Sequence, residues 1–253
     1  MIRFVIFASY GNDSVALIQW ARENSLEDVA VVYCDTGWAF ADWELRVDIM
    51  EGWVRDCGFT PYRTQSIGFA ELARQKQGFP TQRYQWCSYV LKIEPSMRWL
   101  EENDPHKIAI CVVGARRSEA ADPLSTRANF PEYLVRSENH GGRMMLAPMV
   151  DWTAETRDAF VRRAGVKPLP HRSGECRCIN SNKSDLQRYT EADILEIAGL
   201  EDEVGRPMFR PHRHMGATGI REIIKWANSP RGKYAPPEPG DEPEACSAAW
   251  CEA

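Results

Sequence analysis

The feature that most constrains the fold is a junction at the N-terminus. An apolar run, Ile2 to Ala8, broken only by Arg3, passes through Ser9-Tyr10-Gly11-Asn12-Asp13-Ser14 into a segment where Ala16, Leu17, Trp20 and Ala21 recur at helical spacing. A buried strand that turns into a helix in this way leaves the first backbone N–H groups of the helix unpaired, at the positive end of its dipole. Such a turn is an anion site, and phosphate suits it best. Gly11 allows close backbone approach, and the Ser9 and Ser14 hydroxyls add donors. Asp13 would repel a bare phosphate, so its expected role is to cap the helix or to hold a magnesium ion. Taken alone, the turn is equally well an N-cap with no ligand.

Two further apolar runs, Asp28–Cys34 and Ile108–Gly114, read as parallel central strands, separated by helix-like segments near 13–24, 42–57 and 88–101. This alternation implies an α/β fold with a parallel sheet. Ligands of such sheets bind beyond the carboxyl ends of the strands. The Ser9–Ser14 turn, Asp35-Thr36-Gly37 and Gly114-Ala115-Arg116-Arg117-Ser118-Glu119 all fall at those ends, which is the layout of one active site. A helix is expected from Thr153 to Ala164, and shorter ones over 190–198 and after Thr218, with Ile220, Ile223, Ile224 and Ala227 on one face. The expected division is an α/β nucleotide-binding domain over 1–165 and a small, mainly helical C-terminal region over 166–253. After Ser229 the chain is rich in Pro, Gly and Glu and too poor in apolar residues to order itself.

With 253 residues and 43% hydrophobic content, the chain can bury an ordinary core. Its net charge of −5 argues against indiscriminate nucleic-acid binding but allows a local basic groove. No apolar stretch approaches the length of a membrane span, and no signal-peptide pattern opens the chain, so a cytoplasmic location is expected. In a reducing compartment eight cysteines point to metal binding or catalysis before disulfides. Cys34, Cys57 and Cys111 sit in strand or helix patterns and read as small core residues. Cys87, Cys176, Cys178, Cys246 and Cys251 lie in polar surroundings and could supply four thiolates to a [4Fe–4S] cluster or a zinc ion. Ligation by Cys246 and Cys251 would pin the C-terminal tail to the body.

Five segments in order resemble the phosphoadenosine phosphosulfate (PAPS) reductase-like branch of the PP-loop adenine nucleotide alpha-hydrolases. They are the Ser9–Ser14 turn; Asp35-Thr36-Gly37; Trp86-Cys87-Ser88 running into Leu91-Lys92-Ile93-Glu94-Pro95; Gly114-x-Arg116-x-x-Glu119; and Pro148-Met149-Val150-Asp151-Trp152-Thr153. The resemblance implies a Rossmann-like HUP fold, ATP or a related adenylyl nucleotide, Mg2+, and cleavage or transfer at a phosphate linkage. It places Ser9, Tyr10, Gly11, Asn12, Asp13, Ser14, Asp35, Thr36, Gly37, Lys92, Gly114, Arg116 and Glu119 around the nucleotide, with Asp13, Lys92 and Arg116 in catalysis.

The iron–sulfur ATP pyrophosphatases of DNA phosphorothioation are the branch most similar, because the chain ends in Trp250-Cys251-Glu252-Ala253 and lacks the Glu-Cys-Gly-x-His segment of true reductases. Glu175 departs from that pattern, standing where the first cysteine of a Cys-x-x-Cys pair belongs. The expected reaction is ATP cleavage for sulfur transfer to an acceptor such as nucleic acid. Reduction of a small sulfonucleotide is the alternative, and a non-catalytic nucleotide-binding subunit is a third. Implied partners are a sulfur-donor or thioredoxin-like protein and a second copy in a homodimer. His171-Arg172 and the basic stretch Arg206–Lys233 could contact substrate phosphates or be solvated surface. Asp151-Trp152-Thr153 reads as a helix cap with an aromatic anchor.

Overall fold

The three apolar runs become β1 (Phe4–Phe7), β2 (Val29–Asp35) and, further along the chain, β4 (Ile110–Val112). They belong to a computed structural model that describes residues 1–81, 83–119, 128–130, 134–209 and 218–229. α1 (Asn12–Glu23) follows β1, and α2 (Ala41–Asp56) leads from β2 to β3 (Thr60–Gln65). Next come α3 (Phe69–Lys76), α4 (Trp86–Ser88), a π-helical turn over Tyr89–Ile93 and α5 (Glu94–Asn103). Beyond β4 lie β5 (Val135–Ser137), β6 (Arg143–Leu146), α6 (Ala154–Arg163), α7 (Lys183–Leu186), α8 (Glu191–Val204) and α9 (Gly219–Ala227).

The sheet runs β3-β2-β1-β4-β6-β5, and every pairing is parallel except β5 with β6. The expected α/β fold with a parallel, Rossmann-like sheet is the one observed. Its strands are apolar throughout because both faces are covered. Ile6, Val29 and Val31 face α1 and α2, whereas Val5, Phe7, Ala30 and Val32 face Trp99 and Leu100 of α5. From β1 the chain builds outward through β2 and β3, then crosses back to place β4 on the other side of β1. The reversal between β1 and β4 is a topological switch point, where two successive loops part and leave a crevice. The Ser9–Ser14 turn and Gly114–Glu119 border it.

Three features depart from the expectations. The helix expected over 88–101 is broken into α4, the π turn and α5, and Lys92 lies in the π turn. β3 and β5 have no apolar run to announce them, and the short apolar run of β6 is not among the expected strands. The expected helix over 190–198 extends to Val204, held at its start by a capping box between Thr190 and Asp193. Thr153 does cap α6, and Trp152 stacks on Phe160 at 4.2 Å. Residues of α8 and α9, among them Ile197, Leu200, Ile220 and Ile223, share one apolar core with α1, α2 and the sheet.

Candidate functional site

Side chains of the Ser9–Ser14 turn are largely committed to holding the turn itself. The Gly11 N–H donates to Ser9 Oγ at 3.3 Å, and Ser14 Oγ donates to the Gly11 carbonyl at 3.2 Å. Asn12 bonds the Leu169 backbone in both directions, at 2.9 and 2.8 Å. Trp43 Nε1 and Arg46 Nε donate to the carbonyls of Ser9 and Tyr10. Tyr10 is fully buried at φ 59°, stacked on Tyr33. What remains for an anion is the first turn of α1, whose backbone N–H groups at Asn12, Asp13 and Ser14 have no partner one turn earlier.

Asp13 does not cap α1. The N-cap position is Gly11, which has no side chain to cap the first turn. The Asp13 carboxylate is instead drawn across the switch point to Arg116 Nε, at 2.7 Å, with Arg157 at 3.8 Å. Arg116, only 1% exposed, also binds Glu119, so two carboxylates enclose one guanidinium. Glu119 orders Arg116, as its spacing allowed. Arg116 nevertheless differs from an open phosphate clamp: its charge is compensated before any ligand arrives. Arg117 is drawn away from the site to Asp151 at 2.7 Å and to the Phe130 carbonyl.

The second half of the site was not foreseen from sequence. Residues 169–178 form a strap across the carboxyl edge of the sheet, joined to the turn by Asn12 and Leu169. Gly11 lies directly beneath it, where an added Cβ would come within 2.8 Å of Ser173 Cβ. Farther on, the Thr36 hydroxyl donates to the Glu175 carbonyl at 2.8 Å, and the Phe40 N–H to the Gly174 carbonyl at 2.9 Å. Gly174 is pressed so close to Trp43 that a Cβ would meet its ring at 2.6 Å. Arg177 then locks the strap, stacking over Trp38 at 4.1 Å and pairing with Asp193 at 3.1 Å and Glu196 at 2.7 Å. Thr36 is thus fully buried in a structural bond, and Asp35 Oδ1 accepts the Gly37 N–H at 2.8 Å, closing its own turn.

The strap delivers Glu175 to Lys92, with Oε1 and Nζ 2.9 Å apart. Both line a cleft of about 320 Å³ at the carboxyl ends of β1 and β2, open in part to solvent. Phe7, Ala8 and Val32 give it apolar walls, and Ser9 carries it into the Ser9–Ser14 turn. Burial works to raise the Glu175 pKa, but Lys92 and the Ser173 hydroxyl outweigh it and hold the carboxyl below its usual range. Cys34 lines the same cleft, its thiol donating to the Leu91 carbonyl in the π turn at 3.0 Å.

Alanine at Gly11 is expected to force strap and turn apart, costing about 1–3 kcal/mol as overpacking. Urea unfolding of Gly11→Ala measures this, and Ser173→Gly in the same chain should recover most of it. No recovery would mean that the contact does not govern the turn. Burial pushes the Cys34 and Cys111 thiols up to about 12. Both should therefore alkylate at pH 8 at least roughly a hundredfold more slowly in the native protein than in urea, since the thiolate is the reacting form. Peptide mass spectrometry reads the rates, and equal rates would refute the protection.

The cysteine expectations fare differently. Among the described residues no three His, Cys, Asp or Glu side chains gather as a metal site. Cys87, Cys176 and Cys178 are half-buried and form no disulfide among the described residues; Cys246 and Cys251 lie outside the described residues, as do Arg210, His212, Arg213, His214, Arg231 and Lys233 of the basic stretch Arg206–Lys233. The position at which the resemblance calls for another thiolate carries Glu175, which is spent on Lys92. The described residues hold three of the five candidate thiols, one fewer than a four-thiolate site needs. Asp13, committed to Arg116, is likewise no ready ligand for magnesium. Among the described residues, what ties the strap to the body is Arg177, Asn12 and backbone hydrogen bonds rather than cysteine ligation. His171 Nδ1 lies 2.7 Å from the Arg172 carbonyl, and burial lowers the His171 pKa.

Among known proteins, the chain is 30% identical over 196 residues to an uncharacterized 37.8 kDa protein of Escherichia phage 186, covering 65% of this chain and 57% of that one. Two uncharacterized proteins of Methanocaldococcus jannaschii are 30% and 27% identical over 112 and 127 residues, 44% and 50% of this chain. The chain spans only 22% and 28% of their lengths. Two solved structures resemble it: a phosphoadenylyl-sulfate reductase from Candida auris, with TM-score 0.46, 15% identity and coverage of 66% of this chain and 75% of that one, and an NMN synthetase from Francisella tularensis, with TM-score 0.48, 13% identity and coverage of 92% and 87%. Residues 3–179, more than half of the chain, match the model of the phosphoadenosine phosphosulfate reductase domain, and the chain belongs to that family.

Proposed function

We propose that this protein is an enzyme that binds an adenylyl nucleotide, with its phosphates on the first turn of α1, and cleaves at a phosphate linkage. The observation that carries this reading is the strand–turn–helix at the switch point, in a chain that belongs to the PAPS reductase domain family. The amides of Asn12, Asp13 and Ser14 would meet the negative charge that develops on the phosphate oxygens as the linkage breaks. Donors fixed before the reaction starts need no reorganisation at that moment. Arg116 acts as a positioning residue: by holding Asp13 it keeps that carboxylate from repelling the phosphate. The apolar walls of the cleft at β1 and β2 would lower the exposure of the bond to water once a ligand fills it.

Two reactions remain within this reading, pyrophosphate release from ATP for transfer to an acceptor, and reduction of a sulfonucleotide. Calorimetry with ATP, ADP and AMP tests the binding, and assays of pyrophosphate from ATP and of sulfite from a sulfonucleotide separate the reactions. Micromolar uptake of a nucleotide, lost in Gly11→Ala, is the expected result. No uptake of any adenylyl nucleotide would overturn the proposal.

A further inference from the structure

We propose that the cleft at the carboxyl ends of β1 and β2 receives a hydrogen-bond-donating, non-anionic group of the ligand, an amine in the simplest case, and that Glu175 turns a sulfonate away from it. This rests on the nucleotide reading above and narrows its substrate class.

Glu175 is 6% exposed, and its Oε1 is paired with Lys92. Oε2 is buried and makes no hydrogen bond of ordinary geometry, although the Ser173 hydroxyl lies near enough to the carboxyl to lower its pKa. A buried carboxylate oxygen left unpaired is costly, so the group that best completes the site is an N–H or O–H donor. An anion at the same place would add like charge to an unsatisfied acceptor.

Among the described residues lining the cleft, Lys92 is the one basic side chain and Glu175 the one acidic side chain. Their pairing at 2.9 Å leaves no net positive charge to hold a sulfonate. Glu175 cannot easily swing aside, because Thr36 holds its own carbonyl and Arg177 locks the strap two residues later.

Ser9 belongs both to the phosphate turn and to the cleft, and Ser173, which lies over Gly11, is two residues from Glu175. The ligand group that reaches Glu175 is therefore the one attached next to the bound phosphate.

The test compares two probes that share an adenosine 5′-phosphate and differ beyond it. Adenosine 5′-phosphoramidate presents an amine there, and adenosine 5′-phosphosulfate presents a sulfonate. By calorimetry with the full chain, the phosphoramidate is expected to bind at least tenfold more tightly. Glu175→Gln keeps the side-chain shape but removes the charge, and it should move that ratio at least tenfold toward the phosphosulfate. Equal affinities in the wild type, a preference for the phosphosulfate, or an unchanged ratio in a folded Glu175→Gln protein would each overturn the inference while leaving nucleotide binding in place. Failure of both probes, together with ATP, ADP and AMP, would instead bring down the nucleotide reading and this one with it. Should Glu175→Gln not fold, the wild-type ratio decides alone.

Discussion

Arg116→Met is expected to lower the unfolding free energy by about 3–5 kcal/mol, the range found when one partner of a buried ion pair is removed. Its guanidinium is 1% exposed and serves Asp13 and Glu119 together, so methionine fills the volume but strands two carboxylates. The Asp13 side chain is 25% exposed and can rehydrate in part, which puts the expected loss toward the lower end. Function should suffer more than stability. An uncompensated Asp13 in the first turn of α1 would repel a phosphate bound there as proposed. Urea unfolding and nucleotide calorimetry read the two effects. Adding Asp13→Asn and Glu119→Gln should restore much of the stability, because a neutral triad leaves no charge unpaired. A variant that unfolds at the wild-type urea concentration would refute the clamp.

Arg177→Ala should release the strap. The side chain is 4% exposed, pairs with Asp193 and Glu196, and covers Trp38. Asp193 is itself nearly buried and closes the capping box of α8, so losing its cation also weakens the start of that helix. A cost of about 3 kcal/mol is expected, with rapid tryptic cleavage at Arg172. Arg177→Lys keeps the charge but loses the planar fork and its stacking, so it should fall between. The measurements are urea unfolding and limited proteolysis. Wild-type resistance to trypsin in the alanine variant would show that the strap is held by something else.

How much of this was legible in the sequence depends on whether local pattern and burial coincide. β1, β2 and β4 are buried on both faces and read as apolar runs. β3, with the residues Thr-Pro-Tyr-Arg-Thr-Gln, is an edge strand with exposed and half-buried positions, and its Pro61 is tolerated there. β6 begins with a buried arginine, Arg143, whose fork is satisfied by Asp104 at 2.7 Å and by the carbonyls of Leu100 and Asp104. No periodicity signals a strand built on that arrangement. The π turn around Lys92 was equally hidden, because residues 88–101 have ordinary helical spacing and the Leu91 carbonyl that accepts the Cys34 thiol is reached from a distant strand.

The candidate site divides along the same line. Ser9 through Ser14, Gly114, Arg116 and Glu119 were readable because they end strands and begin helices. Their partners were not. Asp13 looked like a cap because caps are local, yet its cation lies 103 residues away. Cys176 and Cys178 stand out because cysteines in polar loops are often ligands, whereas nothing local marks Glu175 beside them, which lines the cleft.

The amino-acid order alone determined the parallel α/β architecture and the strand–turn–helix junction at its centre, since alternating apolar runs and a strand–glycine–helix junction act over a few residues at a time. Only the three-dimensional packing decided which charges are spent on one another. Asp13 with Arg116, Lys92 with Glu175 and Arg177 with Asp193 are pairs 103, 83 and 16 residues apart. Electrostatic pairing depends on distance in space and on exclusion of water, neither of which is written in the spacing of a linear chain.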